Sequence, residues 1–379
     1  MEMEKDQKVF GFEVHARDAK THARAGKVMT AHGDFFTPAF MPVGTQATVK
    51  GLSPRDLEDV GSEIILSNTY HLYIRPGIDI IRQFGGLHRF MGWKGPILTD
   101  SGGYQVFSLS RLRRIAEEGV YFNSPFDGNE IFLSPEIVMD IQEAINSDIA
   151  MIFDECPPAV KDREVISKSG ELTLRWAKRA KKHHRVPHQA LFGIVQGGVF
   201  KDLRLENLER MVEIGFDGYA LGGLCVGEVK EDTFAILDEV VPKMPFEKPR
   251  YMMGVGTPLD FLESVEKGAD MFDCVNPTRY GRNGSAFTRF GLIVVRNGKY
   301  NTDEAPIDET CGCYACRNFS RSYLRHLFNT QEMLGPQLVS IHNVFFFVNF
   351  LKEIRKSIVA GSFFELKKNF MNNFDPDSR

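Results

Sequence analysis

Pro96-Ile97-Leu98-Thr99-Asp100-Ser101-Gly102-Gly103 is a short apolar run that ends in a carboxylate and then in two glycines. It is too short for a helix and is bounded by turn formers, which is the pattern of a buried strand. The arrangement recurs. Phe35 to Val43, Glu63 to Ser67, Asp148 to Phe153, Ala190 to Val195, Gly218 to Leu221, Arg250 to Met253 and Asp270 to Phe272 bring the total to roughly eight runs, the number a closed parallel barrel needs. Between them lie helical patterns. Ser53-Pro54, Ser134-Pro135 and Thr257-Pro258 each put a capping hydroxyl before a proline at the first helical position. Leu203 to Ile214 and Phe261 to Lys267 carry apolar residues at three- and four-residue spacing. The alternation predicts an α/β fold, an irregular (β/α)8 TIM barrel, with a doubly wound open sheet as the alternative.

Residues 111–132 read as an insertion after the third strand, and from about Asn301 the alternation stops. The expected division is a barrel catalytic domain over 1–300 and a zinc-binding subdomain with C-terminal helices over 301–379, packed on the barrel. The zinc reading rests on Cys311-Gly312-Cys313-Tyr314-Ala315-Cys316, three of the six cysteines within six residues. Thiols this close are metal ligands rather than core residues. His342, early in an apolar helical stretch, is the expected fourth ligand, and His326 competes with it. A closed set of three sulfurs and one imidazole leaves no position for a catalytic water, so one Zn2+ per subunit would be structural.

The chain has 379 residues, 43% hydrophobic and 25% charged, with a formal net charge of −4. That is an ordinary globular balance and does not announce a nucleic-acid binder. No signal-peptide pattern is seen, and the apolar run Val344 to Leu351 is too short to span a bilayer, so a soluble, cytoplasmic protein with no membrane partner is expected. Reduced thiols at a zinc site agree with that compartment. Local charge is more telling. Arg175, Lys178, Arg179, Lys181, Lys182 and Arg185 form one basic segment, readable equally as a solvated helix face. Arg279, Arg282 and Arg289 form another, where Thr278-Arg279-Tyr280-Gly281-Arg282-Asn283-Gly284 is expected to be a loop contacting phosphates and bases.

In a barrel the strand ends build the active site. They carry Asp100, Asp154, Gln196, Gly222-Gly223, Met253-Gly254 and Asp273. Three carboxylates on one mouth, with glycine turns that admit a ligand to the backbone, suggest displacement at an anomeric carbon, one carboxylate attacking while another manages protons. No Walker loop, Gly-x-Ser-x-Gly elbow or His-Glu-x-x-His site is present. A barrel glycoside hydrolase using Asp100 and Asp273 is a rival, but it gives the cysteines and the arginines no role. A catalytically silent subunit that only holds RNA would not need both aspartates.

Taken together, Thr99 to Gln105, Gln196-Gly197-Gly198, Leu221 to Leu224, Phe272 to Val275, Pro277 to Gly284 and the Cys-x-Cys-x-x-Cys with His342 closely resemble the bacterial tRNA-guanine transglycosylases, from about Phe10 onward and in the same order. The resemblance implies exchange of guanine at wobble position 34 of GUN-anticodon tRNAs for the 7-deazaguanine preQ1, through a covalent ribosyl-aspartate, in queuosine biosynthesis, usually by a homodimer. It implies Asp273 as nucleophile and Asp100 as general acid/base. Ser101, Gly102, Gly103, Asp154, Gln196, Gly223 and Leu224 would frame the base, with Tyr104 and Met253 as stacking plates. Cys156 and the Cys225-Val226 pair resemble members that accept preQ1. Gly254, Val255, Gly256, Thr257, Pro258, Leu259 and Asp260, with Thr278, Arg279, Tyr280, Gly281 and Arg282, match the family's contacts to the tRNA anticodon loop.

Overall fold

The computed structural model describes residues 9–109, 113–157, 162–224, 227–376 and 378. Eight parallel strands close into a barrel in chain order: β1 (Ala39–Gly44), β2 (Ile65–Ser67), β3 (Ile97–Thr99), β4 (Ile149–Met151), β5 (Ala190–Val195), β6 (Gly218–Leu221), β7 (Arg250–Met252) and β8 (Met271–Cys274). β8 pairs with β1 and so closes the ring. The strands are buried on both faces, which is why they read as continuous apolar runs rather than alternating ones. The three hydroxyl-proline starts are helix caps. Ser53 accepts from Asp56 N, Ser134 from Ile137 N and Thr257 from Asp260 N.

The run Phe35 to Val43 is not one strand. Pro38 has no N–H to give a ladder, and the chain divides there. Gly33–Thr37 joins Gly11–Arg17 and Arg24–Thr30 in an antiparallel sheet, and Ala39–Gly44 enters the barrel. That sheet is fastened at the strand starts by Arg24, whose Nε and Nη2 donate to Asp270 at 3.0 and 2.5 Å. The insertion forms a second antiparallel sheet, Arg113–Ile115, Val120–Asn123 and Glu130–Leu133, and residues 111 and 112 lie outside the described residues. The basic segment lies at the end of the helix Arg163–His183. Arg175 donates from Nε to the Glu117 carboxylate at 2.8 Å and Arg179 from Nη1 to Glu117 O at 2.7 Å, so these two cations tie the helix to the insertion.

Thr278 to Gly284 also departs from expectation. It is largely a helix, Asn276–Arg282, with Pro277 in its first turn. It docks on the helix Leu334–Val359 so closely that a Cβ on Gly281 would stand 2.7 Å from Ser340 Cα. A small residue is required there for packing, not for loop freedom. Leu334–Val359 is long and apolar enough to cross a membrane by length and composition, although 67% of its most apolar window is buried inside the protein. Its Phe347 ring lies 5.2 Å from both Phe40 and Phe261 of the barrel region, as in a core helix. A second, smaller core gathers Ala286, Val295, Ile307, Cys313, Leu324 and Leu338 beneath the cysteine cluster.

Candidate active site and metal cluster

Four strand ends and the tip of β8 meet at one mouth. Asp100, buried after β3, accepts from Asn68 Nδ2 at 2.5 Å and from Thr69 N at 2.9 Å. Burial pushes its carboxyl up to about 6; Asn68 and Thr69 oppose that rise, and the charge of Asp273 adds to it. After β4, Asp154 accepts from Ser101 Oγ at 3.1 Å and from Gln196 Nε2 at 2.7 Å, and burial raises it too. Gln196, after β5, is fixed through its backbone N–H to Asn207 Oδ1 at 3.0 Å, while its own Oε1 is buried without a partner. Asp273, in β8, accepts from Tyr251 Oη at 2.6 Å and from Gly254 N at 2.9 Å. Burial raises Asp273, and these two bonds hold the rise back. Both fall on Oδ1, which leaves Oδ2 to engage a ligand.

Glycines make room. A Cβ on Gly103 would meet Asp154 Oδ1 at 2.6 Å, and one on Gly223, whose φ is +60°, would meet Gln196 Oε1 at 2.5 Å. Gly102, with φ +83°, turns the chain against Tyr70. Tyr104 stands 49% exposed on the helix that follows, while Leu224 and Cys156 are buried. Burial, helped by neighbouring carboxylates, pushes the Cys156 thiol up and leaves it inert. Met253 is half-buried at the end of β7, Gly254 is exposed, and Val255 to Asp260 lead into the helix Pro258–Glu266. Asp260 pairs with Lys230 at 2.8 Å. Cys225 and Val226 lie outside the described residues.

Arg279, Tyr280 and Arg282 are exposed six to nine residues beyond Asp273, while Thr278 and Gly281 are buried. Arg289 is not part of that group, since it pairs with Glu353. Three residues central to the geometry escaped the sequence reading: Asn68, Tyr251 and Arg204. Asn68 follows β2 and obeys the same strand-end rule. Tyr251 sits within β7, and Arg204 looks like an ordinary helix residue.

In the cysteine cluster, the Sγ atoms of Cys311, Cys313 and Cys316 lie 3.6, 3.5 and 3.3 Å from His342 Nδ1. His342 Nε2 stands 2.7 Å from Phe287 O, which makes Nε2 the protonated nitrogen and frees Nδ1 as a ligand. The four residues could hold a metal ion. His326 stacks instead on Tyr323. A further group, His32, His88 and Asp148, lies at the opposite end, where Asp148 is engaged by Ile97 N at 2.9 Å and by His32 N at 3.0 Å.

A closed parallel barrel with buried carboxylates gathered on its C-terminal mouth is the architecture of a barrel enzyme. Comparison narrows the class. Residues 18–376 match the family model described as Queuine tRNA-ribosyltransferase. Proteins of that name from Fusobacterium nucleatum and Halothermothrix orenii are 53% and 52% identical, over 96% of this chain and 98% and 97% of theirs. One from Pelotomaculum thermopropionicum is 52% identical over 97% of this chain and 99% of its own. The chain belongs to the queuine tRNA-ribosyltransferase family and is an enzyme of the glycosyltransferase class.

Proposed function

We propose that this enzyme exchanges guanine at position 34 of GUN-anticodon tRNAs for preQ1, in queuosine synthesis, with Asp273 as nucleophile. The observation that carries the reading is a pair of aspartates on one mouth, both raised by burial: Asp273, whose Oδ1 is held by Tyr251 and Gly254 so that Oδ2 is left to engage a ligand, and Asp100, whose carboxyl burial raises to about 6 with the charge of Asp273 adding to the rise. That is the pairing of a nucleophile with a proton-handling group that displacement at an anomeric carbon requires.

The target nucleotide leaves its stack to reach the mouth. Asp273 Oδ2 attacks C1′ of the ribose, the C1′–N9 bond breaks toward the base, and Asp100 supplies the proton that lets guanine depart neutral. The incoming base gives its N9 proton to Asp100 and attacks C1′, breaking the ribosyl ester. Two inversions give retention. Asp154, Ser101, Gly102, Gly103, Gln196, Gly223 and Leu224 frame the purine edge, with Tyr104 and Met253 on its faces. Gly254 to Asp260 and Thr278 to Arg282 meet the anticodon loop. Cys156 on the pocket wall fits preQ1 rather than a bulkier base.

Three soft sulfurs and an imidazole suit Zn2+, and a closed set supplies structure rather than chemistry. A cytoplasmic homodimer completes the reading.

The test is incubation with a tRNA bearing guanine at the wobble position and radiolabelled guanine. Incorporation by wild type, with none by Asp273→Asn, is expected. A covalent protein–tRNA complex that survives denaturing electrophoresis as readily with Asp273→Asn as with wild type would remove Asp273 from the nucleophile role.

A further inference from the structure

None of the surface of Arg204 is exposed, and no carboxylate hydrogen-bonds to it among the described residues, the charge of Glu228 being what favours its cationic form. Arg204 stands in the first turn of the helix Lys201–Ile214, where the helix dipole also disfavours positive charge. Burial pulls its guanidinium down to about 10. A buried charge is costly, and four carbonyls meet it. Nε donates to Gly198 O at 2.8 Å, Nη1 to Val195 O and Gly222 O, both at 2.7 Å, and Nη2 to Gly223 O at 3.3 Å.

Those carbonyls belong to the two glycine turns at the mouth. In a trans peptide the C=O and N–H point in opposite directions. Drawing the Gly222 and Gly223 carbonyls inward therefore turns the N–H groups of Gly223 and Leu224 away from Arg204. Neither amide meets an acceptor among the described residues. The peptide joining Val195 to Gln196 is gripped on both sides, its C=O by Arg204 and its N–H by Asn207 Oδ1 at 3.0 Å. That grip sets the root of the Gln196 side chain, whose Oε1 has no partner.

We propose that Arg204 is a positioning residue for base recognition: its guanidinium locks the two glycine turns so that the Gln196 amide and the Gly223 and Leu224 N–H groups stand ready for the purine edge. The proposal rests on the exchange reading above and concerns recognition of the purine, departing or incoming, not the contacts to the anticodon loop. Lysine cannot replace arginine here, because one ammonium nitrogen cannot reach four carbonyls held by three nitrogens of a planar fork.

The experiment measures guanine exchange into tRNA, and calorimetric binding of free guanine, for wild type, Arg204→Lys and Arg204→Gln, with melting temperature as a check on folding. Loss of oriented donors should raise KM for guanine and weaken calorimetric Kd about tenfold to a hundredfold. Formation of the covalent complex, in which the departing guanine fills the same pocket, should slow alongside guanine binding, while KM for tRNA, carried by the anticodon-loop contacts, should stay near wild type, and Arg204→Lys should recover no more than about fivefold. Guanine KM and Kd within about twofold of wild type, with only kcat or melting temperature reduced, would overturn it. So would failure of both variants to fold, which would make Arg204 a stability residue. Wild type that exchanges no guanine would instead bring down the functional reading on which this rests.

Discussion

Tyr251→Phe removes one oxygen from the middle of the mouth and little else. The ring is buried at 1% exposure and phenylalanine fills the same space, so packing is kept. What goes is the 2.6 Å bond to Asp273 Oδ1, leaving Gly254 N at 2.9 Å as the donor that remains. A hydrogen bond to a charged group contributes about 1.5–3 kcal/mol, and 1.36 kcal/mol corresponds to one pKa unit. Asp273 is already raised by burial, and Tyr251 is the larger of the two bonds opposing that rise. Its carboxyl should therefore climb further, since burial is then opposed by the Gly254 N–H alone. The attacking form is the carboxylate, so activity is lost as pH falls through the raised value and returns as pH rises above it. The assay is kcat/KM for labelled guanine exchange from about pH 5 to 9. The acid limb of Tyr251→Phe should lie at higher pH than that of wild type, with the two curves converging at the alkaline end. Asp100 titrates in the same region, so the covalent complex, trapped by denaturation at each pH, isolates the step that needs Asp273. A uniform drop at every pH, with the acid limb unmoved, would refute the reasoning and leave the hydroxyl a purely steric role.

Asp100→Asn should stabilise the protein in a pH-dependent way. The folded carboxyl is raised from 3.8 to about 6, so its contribution to stability is present at low pH and is lost as pH rises through that window. The difference, 6 − 3.8 = 2.2 units, bounds the gain above pH 6 at about 3 kcal/mol, and the gain should vanish below about pH 4. Equal shifts in melting temperature at both pH values would contradict this. Purified protein should carry about one zinc per chain, and a metal content unchanged in the Cys313→Ala, His342→Ala double variant would sink the ligand assignment. Arg282→Ala should cost about 1–3 kcal/mol on a tRNA with the correct uridine beside the wobble base, and little on one already altered there. Equal losses on both RNAs, with a shallower salt dependence, would reduce the arginine helix to an electrostatic clamp.

The barrel was legible because strands buried on both faces cannot alternate, and most of the apolar runs end in a polar residue or a glycine turn at the mouth. Asp100, Asp154, Gln196 and Asp273 were found by that rule alone. Asn68 obeys it as well, but asparagine after a short run looks like an ordinary turn residue. Pro38 split a run that hydrophobicity alone joins. The arginine helix was misread as a loop because its inward residues, Thr278 and Gly281, are small and polar in character. Gly281 is buried by docking against Ser340, a partner some sixty residues away that local periodicity does not see. Arg204 was invisible for a related reason. On an amphipathic helix an arginine is expected in solvent, and only the tertiary arrangement of two glycine turns gives it four acceptors.

His342 and Asn343 are neighbours on one helix, yet they serve different parts of the molecule. Asn343 Nδ2 donates to Pro277 O at 3.0 Å and to Ser285 O at 2.9 Å, and its Oδ1 accepts from Phe287 N at 2.9 Å. His342 holds the carbonyl of that same Phe287 at 2.7 Å. The cysteine knuckle and the arginine helix are thus two arms of one lever pivoting on Phe287, and none of these bonds reaches the carboxylate mouth. If the proposed roles hold, chelation would disarm the enzyme from the RNA side first: anticodon-loop affinity would fall while the pocket still took up a free base, so gripping the tRNA and recognising its replacement base would fail separately.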